Sequence, residues 1–342
     1  MKDMKKIILT FALLGVAFGF AGCKYDESYL NSALPKPVCY FASFQEYDRI
    51  VIVGEGMSFK IGAAIGGITA NTMDRTVEFN IFNYLKKSPG DIRVLMPTSM
   101  YKINNAAYTL NSKITATIPA GSFLGYFTVN LDSAAFLANP NAMGIRSTPI
   151  SFVNNSVLTI PVRITGTSID SIGRGNDSVF VSVKYQASVD GYYLFQNTLK
   201  KEFPVGTFID TKTEKYTSEI DNNTWRFFTV GPYKVEVTSP LNSLIKSTGT
   251  SQLKFNLTVD ANKLVTYESI VGMPVITPEL TNVYDSKTRD FDLNFTYKKT
   301  GTPVNDTIYH VNAKMIFRNR TIDNGNGQVV NQTRDYLSYF NK

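Results

Sequence analysis

The sequence predicts an all-β chain of two domains: an N-terminal immunoglobulin-like β-sandwich, then a C-terminal antiparallel sandwich or partial barrel. Three observations lead there. Hydrophobic residues make up 43% of the 342, but charged residues only 18%, below the roughly 25% of an ordinary soluble domain. Polarity comes instead from Asn, Thr and Ser, which suit strands and turns better than solvated helices. Strict alternation of apolar and polar residues recurs along the chain, whereas helical periodicity is almost absent. The length itself fits two domains.

In the first half, strands are expected at 49–53, 57–63, 76–82, 113–118, 126–131, 157–164 and 178–185. Ile114, Ala116 and Ile118 fall on one face of their segment, and Leu158, Ile160, Val162 and Ile164 do the same in theirs. About seven such strands with turns between them define a sandwich, assigned to residues 36–188. Pro161 lacks an N–H and is expected at an edge or a bulge. A single helical turn is expected at 133–137. Cys39, in an apolar run, reads as a small core residue.

Asp190-Gly191 is a turn signal, and the second domain is assigned to 189–342. Its strands are expected at 192–200, 215–220, 225–229, 233–237, 252–259, 263–270, 290–297 and 307–317. Two of them, from Leu253 to Val259 and from Phe291 to Tyr297, alternate without a break and imply one buried and one wet face. The tail from Ile322 is polar and expected to be ordered only in part.

Residues 1–22 have a basic start and an apolar stretch from Ile7 to Phe20. That is shorter than the ~20 residues of a spanning helix and reads as a secretory signal peptide. Phe20-Ala21-Gly22-Cys23 resembles the bacterial lipobox, which implies cleavage before Cys23 and lipidation of that residue, with 23–35 as a tether. Two or more acyl chains anchor stably where one does not, so the membrane is engaged through lipid alone. Lys24-Tyr25-Asp26-Glu27 resembles the signal that sends lipoproteins of Bacteroidota to the outer face of the outer membrane. The formal charge is +7, two of which belong to residues 1–22 (Lys2, Lys5 and Lys6 against Asp3), leaving +5. No basic run reads as a nucleic-acid patch. With Cys23 acylated, Cys39 is alone and no internal disulfide is available.

Catalytic signatures are missing. His310 is the only histidine, which excludes multi-histidine metal sites. Neither a nucleophile elbow nor a phosphate loop occurs. Carboxylate pairs such as Asp290/Asp292 and Glu219/Asp221 read as solvated strand or turn residues rather than a hydrolytic pair. No cofactor and no metal are expected. Binding chemistry rests on the aromatics, because sugar C–H faces stack on Trp and Tyr while amides and charges take the hydroxyls. The candidate ligand residues are Tyr192 and Tyr193, one of which should face outward; Asn223, Trp225 and Arg226; and Tyr309 with His310. Core packing is the competing reading for Trp225.

The order of several short motifs is similar to a domain of unknown function from Bacteroidota: Leu95-Met96-Pro97, Met100-Tyr101-Lys102-Ile103, Thr117-Ile118-Pro119-Ala120-Gly121, and the strand from Leu158 to Ile164. The second half, through the strand Phe291–Tyr297 and Tyr309-His310-Val311, resembles the β-rich domain often paired with it. This resemblance implies a surface lipoprotein of a polysaccharide utilization system, with a glycan as ligand and an outer-membrane transporter complex as partner. A fimbrial or adhesin-type structural subunit, whose first strand would have to be releasable by cleavage near Arg49, and a glycoside hydrolase or its inactive remnant are the alternatives. Asp170-Ser171-Ile172 resembles the O-glycosylation acceptor sequence of these bacteria.

Overall fold

Alternation along the chain becomes two separate cores in the computed structural model, which describes residues 36–41, 46–85, 91–143, 156–203, 206–214, 224–241, 243–248, 251–298, 307–323 and 329–333. The first part holds β1 (Val38–Tyr40), β2 (Glu46–Ile52), β3 (Ser58–Gly66), β4 (Arg75–Ile81), β5 (Arg93–Leu95), β6 (Tyr101–Ile103), β7 (Ala106–Ala107), β8 (Ile114–Ile118), β9 (Leu124–Leu131), helix α1 (Ser133–Leu137), β10 (Val157–Thr167), β11 (Ser171–Ile172) and β12 (Ser178–Gln186). The second holds β13 (Gly191–Glu202), β14 (Phe208–Glu214), β15 (Thr224–Gly231), β16 (Lys234–Thr238), β17 (Lys254–Val259), β18 (Val265–Ser269), β19 (Ile276–Pro278), β20 (Val283–Tyr284), β21 (Phe291–Lys298), β22 (Ile308–Asp323) and β23 (Val329–Thr333).

The first part is a sandwich. One sheet runs β11-β1-β3-β9-β6-β7 and the other β2-β12-β10-β4-β8, with β5 beside β10. The entering chain splits between them: β1 pairs antiparallel with β3, whereas β2 crosses over and runs parallel to β12. Inward residues of both sheets, such as Ile61, Phe79, Ile118, Val129, Ile160 and Val181, form one core. Cys39 belongs to it, and burial pushes its thiol up to about 11. Asp132 caps α1 by accepting the Ala135 N–H at 2.9 Å, as a residue flanking a short helix should.

Pro161 lies neither at the edge nor at the bulge expected for it, the register shift of β10 falling between Ile164 and Gly166. It is buried in β10, which lies between β12 and β4. Its carbonyl accepts from Phe82 at 3.2 Å, so its missing N–H points to that same side. There the β5 pairing ends at Thr159 and the β4 pairing begins at Val162. The proline sits where one neighbour has stopped and the next has not begun.

The second part is one large sheet ordered β18-β17-β16-β15-β13-β22-β21-β19. Its ends meet: Leu264 bridges Val283, the Val265 N–H donates to Asn282 O at 2.9 Å, and the Tyr284 N–H to Lys263 O at 2.9 Å. The sheet therefore curls until its two ends touch at one corner, as a partial barrel does. Its interior is filled by Tyr193, Phe195, Trp225, Phe227, Phe255 and Phe295 among others. The β13 edge facing β15 is shared. Gly191–Leu194 pair with β15, and Asn197–Glu202 with β14, a strand that sequence reasoning missed. The expected strand at 215–220 lies outside the described residues. Elsewhere β22 runs past Ile322 and pairs with β23, so part of the polar tail is ordered.

The chain passes from one core to the other between Tyr185 and Ala187, and the passage is pinned. Asp190 accepts from the Thr229 N–H at 2.7 Å and hydroxyl at 2.6 Å. The Thr229 hydroxyl in turn accepts from Ala187 N at 3.0 Å. Glu55, in the turn between β2 and β3, reaches the barrel. Its carboxylate accepts from Arg289 at 2.9 Å and from Arg320 at 3.0 Å. The Arg320 side chain is 1% exposed, so this carboxylate is part of what makes burying its charge tolerable.

Candidate functional site

The sequence-selected residues divide between the inside and the outside of the barrel. Trp225 is fully buried and stacks on Phe195 with centroids 4.2 Å apart. This corrects its assignment as a ligand residue, because a ring with no exposure offers no face to a sugar. Its inward position follows from register: Trp225 lies opposite Tyr193 across β13 and β15, and directly opposed residues share a face. Tyr193 is likewise core, its hydroxyl donating to Val189 O at 3.0 Å. Asn223 lies outside the described residues.

Tyr192 is the outward member of its pair, 40% exposed. Arg226 lies over its ring at 4.8 Å and near Phe228 at 5.4 Å. The guanidinium is held by Asp190 at 2.8 Å and by Gly191 O at 2.9 Å. Arg226 is therefore committed to the fold, and Tyr192 is the exposed element of this cluster.

Tyr309 and His310 stand at the other end of the barrel. Tyr192 is opposite Asn319 on β22, nine residues from His310. At about 3.3 Å per residue that is roughly 30 Å, too far for one small ligand. Tyr309 stacks on Tyr297 at 5.1 Å. His310 lies between two carboxylates, with Nδ1 2.5 Å from Glu279 and Nε2 2.6 Å from Glu202. Burial disfavours the imidazolium, but hydrogen bonds to Glu202 and Glu279 outweigh it, and its pKa is raised. Glu202 is held below the usual carboxylate range, first by the Gly206 N–H and then by His310.

Phe208 completes this cluster. Its exposed ring meets the His310 ring edge-on at 5.3 Å, and the Lys200 ammonium lies 5.9 Å from its centre. Beside His310, whose cross-strand partner is Thr296, opens a groove of about 410 Å³ walled by Val275, Thr277, Thr296, Lys298 and Ile308. The cluster thus brings together an apolar ring, a fixed ionic triad, hydroxyls and a concave surface. Sequence reasoning found His310 but missed Glu202, Glu279 and Phe208. Glu279 is 31 residues away in the chain, and no local pattern joins them. Among the described residues no group of three or more His, Cys, Asp or Glu is arranged to hold a metal, and no helix is long and apolar enough to cross a membrane.

Fold and surface together define an all-β protein of two units, a sandwich and a partial barrel, with polar and aromatic clusters on the outside of the barrel. No family model and no curated protein matches the chain. Among solved structures it is similar to a Bacteroides ovatus protein of unknown function, at 18% identity over 87% of this chain and 99% of that one, with a TM-score of 0.59. Two other Bacteroides ovatus proteins of unknown function align at 12% and 10% identity over 86% and 91% of this chain and 100% and 95% of theirs, both with TM-scores of 0.34. The first similarity bears on fold alone.

Proposed function

We propose that the protein is a cell-surface glycan-binding lipoprotein, anchored through lipid on Cys23 to the outer face of the outer membrane. It captures poly- or oligosaccharide for an outer-membrane uptake complex. The observation that carries the binding reading is the Phe208–His310 end of the barrel. An exposed ring supplies a stacking surface. The Glu202–His310–Glu279 triad, with Thr277, Thr296 and Lys298 nearby, supplies donors and acceptors for hydroxyls beside the groove.

Hydrolysis is the weaker reading of the same cluster. Glycosidases need two carboxylates with the scissile bond between them, and here the imidazole occupies that space. A fimbrial subunit whose first strand is released by cleavage is weaker too. Arg49 is buried and donates to Lys60 O at 2.8 Å, so the folded chain does not offer it to a protease.

A panel of plant and host glycans, followed by calorimetry, tests the proposal. The mature chain should bind at least one, and Phe208→Ala should weaken that binding roughly 5- to 150-fold, by analogy with aromatic stacking of about 1–3 kcal/mol. Cys23→Ala should take up no labelled fatty acid. Full-affinity binding by Phe208→Ala would move the site elsewhere. Retention of labelled lipid by Cys23→Ala would remove the anchor.

A further inference from the structure

We propose a second glycan site, on the outer face of the first sheet of the sandwich, that takes an anionic polysaccharide bearing uronate or sulfate groups. It rests on the glycan-binding reading but uses none of the same residues. The centre of this face is β3, which presents Ser58, Lys60, Gly62 and Gly66 outward, with Ala64 on the same side but buried, and β9 presents Leu124, Tyr126, Thr128 and Asn130 beside it. Glycine inside a strand weakens it, and often marks a place where something approaches the backbone closely. Here tyrosines do so. Tyr126 lies directly opposite Gly62, and a Cβ on Gly62 would collide with its ring. A Cβ on Gly66 would stand 2.9 Å from the Tyr40 ring. Both rings are therefore laid down along the sheet instead of standing off it. Gly62 and Gly66 are about 13 Å apart along the strand.

The result is a flat apolar platform in contact with solvent: Tyr126 is 37% exposed and Leu124 41%. Its strands carry lysines and no carboxylate; the nearest acid, exposed Asp132 just past β9, is turned to cap α1. Lys60 places its ammonium 5.8 Å from the Tyr126 ring centre. Lys102, opposite Asn130 on β6, is exposed on the same face. No Asp or Glu occupies an outward position on β1, β3, β9, β6, β7 or β11. Two lysines with no carboxylate opposite them complement an anion, and stacked rings complement the C–H faces of pyranoses. A platform level with its sheet suits an extended chain lying across it rather than a small molecule.

The test uses the whole mature chain with polygalacturonate and heparin as anionic probes, dextran as a neutral one, and phosphatidylglycerol–phosphatidylethanolamine vesicles. An anionic polymer should bind with affinity that falls as salt rises. The doubly substituted Lys60→Glu, Lys102→Glu chain should lose about tenfold or more of that affinity and show a flatter salt dependence, with an unchanged circular dichroism spectrum. Tyr126→Leu, which keeps a cover over Gly62, should lose roughly fivefold or more. Phe208→Ala should leave this binding unchanged. If the double variant binds as the parent does, or if the lysine-dependent binding is to vesicles and not to polysaccharide, the second site is wrong while the barrel site stands. If no glycan binds the parent chain, both fall.

Discussion

The two cores mix branched and aromatic side chains in different proportions, in keeping with their different shapes. The sandwich closes two faces over a layer about 10 Å thick, and β-branched residues such as Ile61, Ile118, Ile160, Val162, Val179 and Val181 fill most of it from alternating strand positions, around a smaller ring group of Phe41, Phe79 and Phe127. The barrel must fill a rounded interior from all sides, and it does so with a connected set of rings. Tyr193 touches Phe227, Phe291 and Phe317, while Phe255 and Tyr267 meet Phe295. High aromatic content in a β chain is thus no direct sign of sugar binding. The only tryptophan went to volume, and of the barrel residues picked out for ligand contact Phe208 and Tyr192 are the exposed rings.

That contrast can be broken most sharply at Trp225. Among the described residues its indole N–H has no acceptor, so Trp225→Ala chiefly removes packing. It should cost about 3–5 kcal/mol, against about 2–5 kcal/mol for Ile160→Ala in the sandwich, both read from denaturant midpoints. A Trp225→Ala chain as stable as the parent would end the view that rings hold the barrel up.

Whether the two units act separately is decided at Glu55. Glu55→Ala leaves Arg289 and Arg320 facing each other without their shared carboxylate. Removing one partner of a buried pair costs several kcal/mol, and Glu55 is partly exposed, so a loss of about 1–3 kcal/mol is expected. Calorimetry should show the parent melting in one transition and the variant in two. A single unshifted transition in the variant would show that the Asp190–Thr229 pin suffices.

The smallest effect belongs to the barrel alone. His310 titrates higher folded than unfolded, because its bonds to Glu202 and Glu279 outweigh its burial. The folded state therefore holds the proton longer. The stabilisation is complete below the unfolded value of about 6.5 and fades as pH rises through the folded one. Glu202, whose pKa is depressed, contributes the opposite dependence, lost as pH falls through its folded value. Barrel melting should drop on the alkaline side of about pH 6.5, and His310→Gln should flatten that slope. A variant with the parent's slope would assign the dependence to another group.

Strand identity was legible because a period of two shows which face is buried, whatever the partner strand. Ile114–Ile118 and Phe291–Tyr297 appear as read from their alternation. The short strands β1, β5, β19 and β20 were not, since two or three residues carry no period, and β14 begins with two adjacent exposed apolar residues, Phe208 and Ile209. All-β class, the expectation of lipidation at Cys23 and the lack of a multi-histidine site follow from the sequence alone, because each depends on residue type and local spacing. The meeting of the barrel sheet's two ends, the inward turn of Trp225, the meeting of Glu202 with Glu279 across His310, and the tyrosines lying on Gly62 and Gly66 were decided only in three dimensions. Each depends on register between strands far apart in the chain, and a shift of one residue would send those side chains to the opposite face.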